Sequence, residues 1–423
     1  YAGLGSVQSF VADYDGALNS YRAALELART GGQVSFLQTA ELMRHIGRIY
    51  ERRGDYAEAL HWLTDSLAET DREPDAARSE ERARIMNDIG WVHYRRGEFD
   101  AAYDWRMRSL QLTEGTDHFK EMASTYAGLV VLFTRKGDWA RAMAYGEKGL
   151  HLRETIGDTF GVSQSHTSLG AIAGDQCDWD NALTHFEQAL EIKERIGEIG
   201  GIARLNSNLG FLYLEKGNYA RAAQYCQKAL EIAEKVKSEL LVCQALNNLA
   251  NVLSLQGQFD QAIPYLTRSL SIATEKGSKE QMAEALSLLA EARGGQKQFD
   301  QANQAAHQAV ALASEIGSRL IEGQALRTLA KLAREQRDLT AAGTHIARAL
   351  SILSELKNPS EIAKTQFQLA LLQREGGQWV QARSTLAEAT RTFERLGAQA
   401  EYRQASAELG RLDETVTANT SVR

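Results

Sequence analysis

The side chains that could do chemistry in this chain are arranged for recognition. Four asparagines, Asn208, Asn247, Asn248 and Asn251, cluster near its middle. A carboxamide both donates and accepts, so such a group can meet the N–H and C=O of an extended peptide without reading its sequence. Arg52-Arg53, Arg95-Arg96 and Arg135-Lys136 form three basic pairs in the first third, joined by Arg44, Arg48 and Arg84. That set suits an acidic or phosphorylated segment. Basic residues in a last helical turn also complement the helix dipole, and Glu41, Glu51 and Asp88 dilute the patch. No P-loop, GxGxxG after a strand pattern, HExxH or GxSxG elbow occurs, and the nine histidines are scattered. No catalytic residue, metal ligand set or cofactor is expected.

The elements that hold these residues follow from a repeat. A turn residue, an aromatic or leucine and, three residues on, an alanine recur with a period of 40: Asp138-Trp139 with Ala142, Asp178-Trp179 with Ala182, and so on to Gln378-Trp379 with Ala382. The pattern extends back through Phe99, Tyr56 and Tyr14. Each unit carries two apolar stripes at helical spacing, such as Ala245, Leu246, Leu249, Ala250 and Leu253, then Ala262, Leu266, Leu270 and Ala273. Two helices per unit result. Gly54, Gly97, Gly137, Gly217, Gly257 and Gly377 are placed to end the first helix, and the neighbouring Asp or Asn to cap the second. The small residue after the recurrent leucine (Gly170, Gly210, Ala250, Ala290) lets helices approach closely. Pro74 and Pro359 fall in inter-repeat turns and Pro264 near a first helical turn. One unit cannot bury enough apolar surface alone, so stability is collective.

Composition narrows the partners. A net charge of -7, from 48 basic and 55 acidic residues, gives no general reason to bind nucleic acid or an anionic membrane. The apolar run Leu129 to Phe133 is far short of the ~20 residues of a membrane span. Cys177, Cys226 and Cys243 lack CxxC spacing, as expected of reduced thiols in a cytoplasmic protein. Leu4-Gly5 match the later Leu-Gly pairs, so Tyr1 falls partway through a helix, as in a piece of a longer chain.

The Leu-Gly/Ala pair, the Gly-Asp/Asn-aromatic turn and the second-helix alanines resemble the tetratricopeptide repeat family over residues 1 to 412. The 40-residue unit is similar to the long variety of spindle-orientation scaffolds of the Leu-Gly-Asn type, kinesin light chains and sensor regions of bacterial STAND-type proteins. The resemblance implies an all-α, right-handed superhelical α-solenoid of stacked antiparallel helix pairs. Residues 1–34 form a partial repeat, 35–397 nine repeats, 398–412 a capping helix and 413–423 a disordered tail. It also implies that first helices line a concave groove, which receives Arg44, His45, Arg48, Arg52, Arg84, Asn87, Asp88, Trp91, Tyr94 and Arg95, then Thr167, Ser168, Arg204, Ser207, Asn208 and Phe211. Further along come Gln244, Asn247, Asn248, Asn251, Glu284, Glu291, Arg327, Lys331, Arg334, Lys364 and Phe367. Trp91, Tyr94, Phe211 and Phe367 are then exposed anchors. Departures are Arg106 in an apolar slot, Gly146 and Gly149 within a second helix, and Gly294-Gly295 closing a first helix, where softer packing is expected. The implied role is a sensor or partner-recognition region of a larger, bacterial signalling protein, binding a protein or peptide ligand, an acidic one in the first third, or an N-terminal domain of its own chain. The alternative is a stand-alone adaptor that clamps an extended peptide. A peptide-pheromone receptor would carry a DNA-binding domain that is not seen here, and an enzyme would need a catalytic domain elsewhere.

Overall fold

The computed structural model describes the chain except for residues 32–34, 74 and 422–423, and it leaves the side chains of 31, 75–77 and 415–421 undescribed. Among the described residues there are 21 α-helices and no strand. The chain divides into two compact units, Tyr1–Ile172 and Ala173–Arg423. Unit 1 contains α1 (Ala2–Phe10), α2 (Tyr14–Gly31), α3 (Phe36–Arg53), α4 (Tyr56–Thr70), α5 (Asp75–Arg95), α6 (Phe99–Thr113), α7 (Phe119–Lys136), α8 (Trp139–Thr155) and most of α9 (Thr159–Asp175). Unit 2 contains α10 (Trp179–Ile196), α11 (Ile199–Glu215), α12 (Tyr219–Lys235), α13 (Glu239–Leu255), α14 (Phe259–Glu275) and α15 (Lys279–Gly295). It continues with α16 (Phe299–Glu315), α17 (Arg319–Glu335), α18 (Leu339–Glu355), α19 (Pro359–Glu375), α20 (Trp379–Leu396) and α21 (Gln399–Ser421).

Each helix pair forms where the period placed it, and the turn chemistry shows why. Gly137 ends α7 at φ 71°, in the left-handed region, and Asp138 then accepts the backbone N–H of Arg141 to cap α8. Asp55, Asp178, Asn218 and Asp338 cap their helices in the same way, whereas Gln258, Gln298 and Gln378 make no side-chain cap. Cys177, Lys297 and Arg337 occupy the glycine register at φ 59°, 60° and 68°, a conformation that costs a side-chain-bearing residue ~1–2 kcal/mol.

Within a pair, the small residue of the first helix receives a side chain of the second. A Cβ on Gly210 would stand 2.5 Å from Cys226 Sγ and 3.3 Å from the Ala222 carbonyl oxygen, so only glycine allows this approach. Leu205, Leu209, Ala222, Cys226 and Leu246 are each essentially inaccessible, which puts the core between helices of one pair and the next.

Several expectations are corrected. Pro264 is not in a first turn but is the sixth residue of α14, where the Asp260 carbonyl loses its helical partner. The notch at Gly146 is not soft: Leu169 fills it, 2.6 Å from where a Cβ would be. The Phe259 ring likewise occupies the space beside Gly295. Pro359 is the first residue of α19. The helical conformation of α21 continues past Leu412 to Ser421, while the end of the expected tail and Pro74 lie outside the described residues.

Candidate functional site

The first helices α11, α13, α15, α17 and α19 of unit 2, together with α21, surround a cavity of about 480 Å³. Asn248, Leu288, Thr328 and Gln368 share one repeat register and all line it, as do Phe211, Asn251, Glu291 and Lys331 of the register three residues on. Phe211 is 44% exposed and provides an apolar surface. Among the described residues the Asn251 side chain has no hydrogen-bond partner, and the buried Oε1 of Gln368 and Oγ of Ser254 are unsatisfied. The wall therefore combines one open aromatic with several free carboxamide and hydroxyl groups.

Charge is concentrated at one side of this cavity. Arg327 donates to Glu361 at 2.5 Å, and Lys364 donates to Glu215 at 2.7 Å and lies 3.4 Å from Glu361. Burial alone would raise the Glu361 carboxyl, but Arg327 and Lys364 hold it down at about 2. The same burial would lower Lys364 and Arg327, yet both are raised by their carboxylate neighbours. Burial raises Glu284 and Glu401. The Oε2 of Glu401 is buried without a hydrogen-bond partner.

This cluster also closes unit 2 on itself. In a stacked array each repeat touches its neighbours, yet Glu215 at the end of α11 accepts from Ser360 Oγ at 2.9 Å as well as from Lys364, across 145 and 149 residues of chain. Cys177 Sγ lies 3.7 Å from Asn358 Oδ1, and a Cβ on Gly217 would stand 2.8 Å from the Ala400 nitrogen. The α11–α12 turn is thus seated against α19 and α21, and the cavity is ringed by helices.

The expected groove residues separate into groups. Phe211, Asn248, Asn251, Glu284, Glu291, Arg327, Lys331, Lys364 and Phe367 line the cavity, with Phe367 largely buried. Asn248 Nδ2 also donates to the Ser207 carbonyl of α11, tying two first helices together. Asn247 is fully inaccessible and serves the interior. Arg334 pairs with Glu375 at 2.6 Å, and Arg204, Asn208 and Gln244 lie outside the cavity wall. Glu215, Gln324, Gln368 and Glu401 were missed. Gln324 and Gln368 stand two and three periods after Gln244 and Asn248, so the repeat could have found them; nothing in the sequence signals Glu215 against Lys364.

In unit 1 the basic residues expected in the groove have partners within the chain. Arg44 is buried, donating to Glu81 at 2.7 Å and Asp88 at 3.2 Å, and Arg48 approaches Asp88 at 4.0 Å. Arg84 meets Glu80, Glu81 and Glu121. Glu51 accepts from both Arg95 at 2.9 Å and Trp91 Nε1 at 3.0 Å, and Trp91 stacks on Tyr94. Arg52 donates to Ser9, Asn87 donates to Thr125 from a buried position, and Thr167 bonds the Ser163 carbonyl of its own helix. Among the described residues no group of His, Cys, Asp and Glu could hold a metal, and no helix is long and apolar enough to cross a membrane. All three cysteines are free and buried; burial pushes the thiols of Cys177 and Cys226 up to about 11 and about 12.

Solved structures share this architecture at low sequence identity. The apo form of the quorum sensor NprR from B. thuringiensis matches at a TM-score of 0.61 and 14% identity, over 82% of this chain and 99% of that one. The apo form of RapI matches at 0.57 and 21%, over 65% and 98%. A STAND protein with a tetratricopeptide repeat sensor from Pyrococcus horikoshii matches at 0.56 and 17%, over 81% of this chain and 54% of that one. No curated protein matches the chain significantly. Tetratricopeptide repeat profiles match residues 1–68, 38–115, 161–235, 201–275 and 241–315, and a second such profile residues 364–395. With more than half its length matched and its helix pairs stacked as described, the chain belongs to the tetratricopeptide repeat family.

Proposed function

We propose that this protein-interaction solenoid binds an extended peptide segment of a partner in the cavity of unit 2, and that it acts as the sensor or partner-recognition region of a signalling protein. The observation that carries this reading is the closure of the cavity by Glu215, Ser360 and Lys364. A closure that depends on a buried ionic contact can be biased by a ligand that prefers the closed or the opened arrangement. Phe211 supplies an anchor, and Asn251, Gln324 and Gln368 supply backbone-directed hydrogen bonds. A reducing compartment such as the cytoplasm fits the three free thiols. The carboxamides equally favour a second reading, a stand-alone adaptor that grips a peptide without switching.

Peptides selected on the full chain from a random library would be titrated against wild type and the Phe211→Ala/Asn251→Ala variant. The proposal expects at least a ~10-fold loss of affinity with an unchanged melting temperature. Equal affinity would remove the cavity from consideration. Ser360→Ala, at a donor to Glu215 that does not line the cavity, then separates sensor from adaptor: a change in peptide affinity supports switching, and an unaltered affinity supports the adaptor.

A further inference from the structure

Arg106 is a buried cation that neither packing nor pairing accounts for. In the other repeats its slot holds Leu63, Gly146, Phe186, Cys226, Leu266, Ala306, Ile346 and Leu386. Arg106 is 3% exposed, its Nε has no hydrogen-bond partner, and among the described residues no carboxylate lies within ion-pairing distance. Asp88 attracts it from a distance, but the two oxygens of Asp88 are already engaged by Arg44 and Arg48. Burial pulls Arg106 down to about 10. An uncompensated buried charge is strongly destabilising.

Two glycines make room for it. Its Cγ packs over Gly90 of α5, and its guanidinium occupies the volume where a side chain at Gly128 of α7 would stand. Gly128 belongs to the register of Asn248, Leu288, Thr328 and Gln368, the residues that line the cavity of unit 2. A residue of the second helix α6 thus passes through the wall and presents its charged end in place of a first-helix side chain. Trp91 and Tyr94 stack on the same helix as Asp88.

We propose that Arg106 forms the floor of a second binding site, on the α5–α7 wall of unit 1, that takes a carboxylate or phosphate group of a ligand. The anion supplies the counter-charge that the chain omits, beside half-buried Gly128, where the wall carries no side chain of its own.

The test is thermal unfolding of the full chain, wild type against Arg106→Met, in chloride, succinate and inorganic phosphate at matched ionic strength. In chloride, Arg106→Met is expected to melt at or above wild type, because an unpaired buried charge has gone. At an anion concentration of ~10 times its dissociation constant, wild type should gain about 1–2 °C more than the variant. A gain in succinate alone assigns a carboxylate, in phosphate alone a phosphate, and in both the shared anion chemistry. Equal responses of the two proteins to both anions overturn the proposal. Arg106→Leu, the residue that fills this slot in three other repeats, replaces the methionine variant if that does not fold.

Discussion

Replacing Lys364 by methionine should open the ring of unit 2 while leaving its helix pairs folded. The Lys364 side chain is 19% exposed and that of Glu215 7%, so their contact is largely removed from water. Truncating one partner of a buried ion pair costs about 3–5 kcal/mol, because the other charge stays behind. Here Glu215 keeps its bond from Ser360 Oγ at 2.9 Å, and Glu361 keeps Arg327 at 2.5 Å. Those surviving donors and the partial exposure of Lys364 reduce the expected loss to about 2–3 kcal/mol, a ~30- to 150-fold shift toward the open arrangement. Native-state hydrogen exchange reads this directly: amides of residues 216–219 and 358–364 should exchange faster by that factor, while those of α13 and α15 stay protected. A Glu215→Gln/Lys364→Met cycle should give a coupling of about 1–3 kcal/mol. Unchanged exchange in both segments, together with additive single variants, would refute the argument that this contact holds the ring shut.

Other consequences are simpler to measure. Gln298 makes no side-chain cap on α16, whereas Asp at this register caps α8, α10 and α18; Gln298→Asp should stabilise unit 2 by about 1 kcal/mol in chemical denaturation, and no gain would mean that the turn resists the capping rotamer. Gly295→Ala should destabilise by about 1–3 kcal/mol, since the new methyl meets the Phe259 ring, and a neutral result would restore the soft packing that the sequence implied. Acid titration should show two opposing effects in unit 2. Burial raises Glu284 and Glu401, so the folded state binds their protons more readily than the unfolded chain, and stability rises as the pH falls from neutrality toward the ordinary value of 4.5. Glu361 is depressed to about 2, so its contribution is present above 4.5 and is lost as the pH falls from there through 2. Glu284→Gln should flatten the mild-acid rise; an unaltered profile would assign that rise elsewhere. His45 is lowered to about 4 by burial beside Arg44 and Arg48, so its contribution to unit 1 is present above 6.5 and lost between 6.5 and 4, which His45→Gln should abolish.

Most of the local structure was legible because it depends on local rules. Asp138, Asp178 and Asn218 cap helices wherever they precede the aromatic, since a side-chain oxygen reaches the N–H three residues on in any context. The registers of Asn248 and Asn251 locate the cavity wall because the period fixes which helix face repeats. Asn247 shows the limit of this reasoning: it is adjacent to Asn248 and was placed in the same groove, yet about 100° of helical rotation turns it fully inside. The basic first third was legible as composition but not as a surface. Its partners sit 37 to 44 residues away, as in Arg44 with Glu81 and Arg95 with Glu51, so neutralisation depends on how one repeat lies on the next.

The sequence by itself determined the repeat, the pairing of helices within it, the turn residues and the family, because each depends on contacts within about one period. Tertiary structure alone decided that unit 2 closes on itself. The stacking of its repeats brings Glu215 to Ser360 and Lys364 across 145 and 149 residues. Small angles at each helix contact add along the array, and no pattern within one period records their sum. The same holds for Arg106: the sequence marked it as out of place, and only the packing of α5, α6 and α7 shows its charge carried through the wall to the position left open by Gly128.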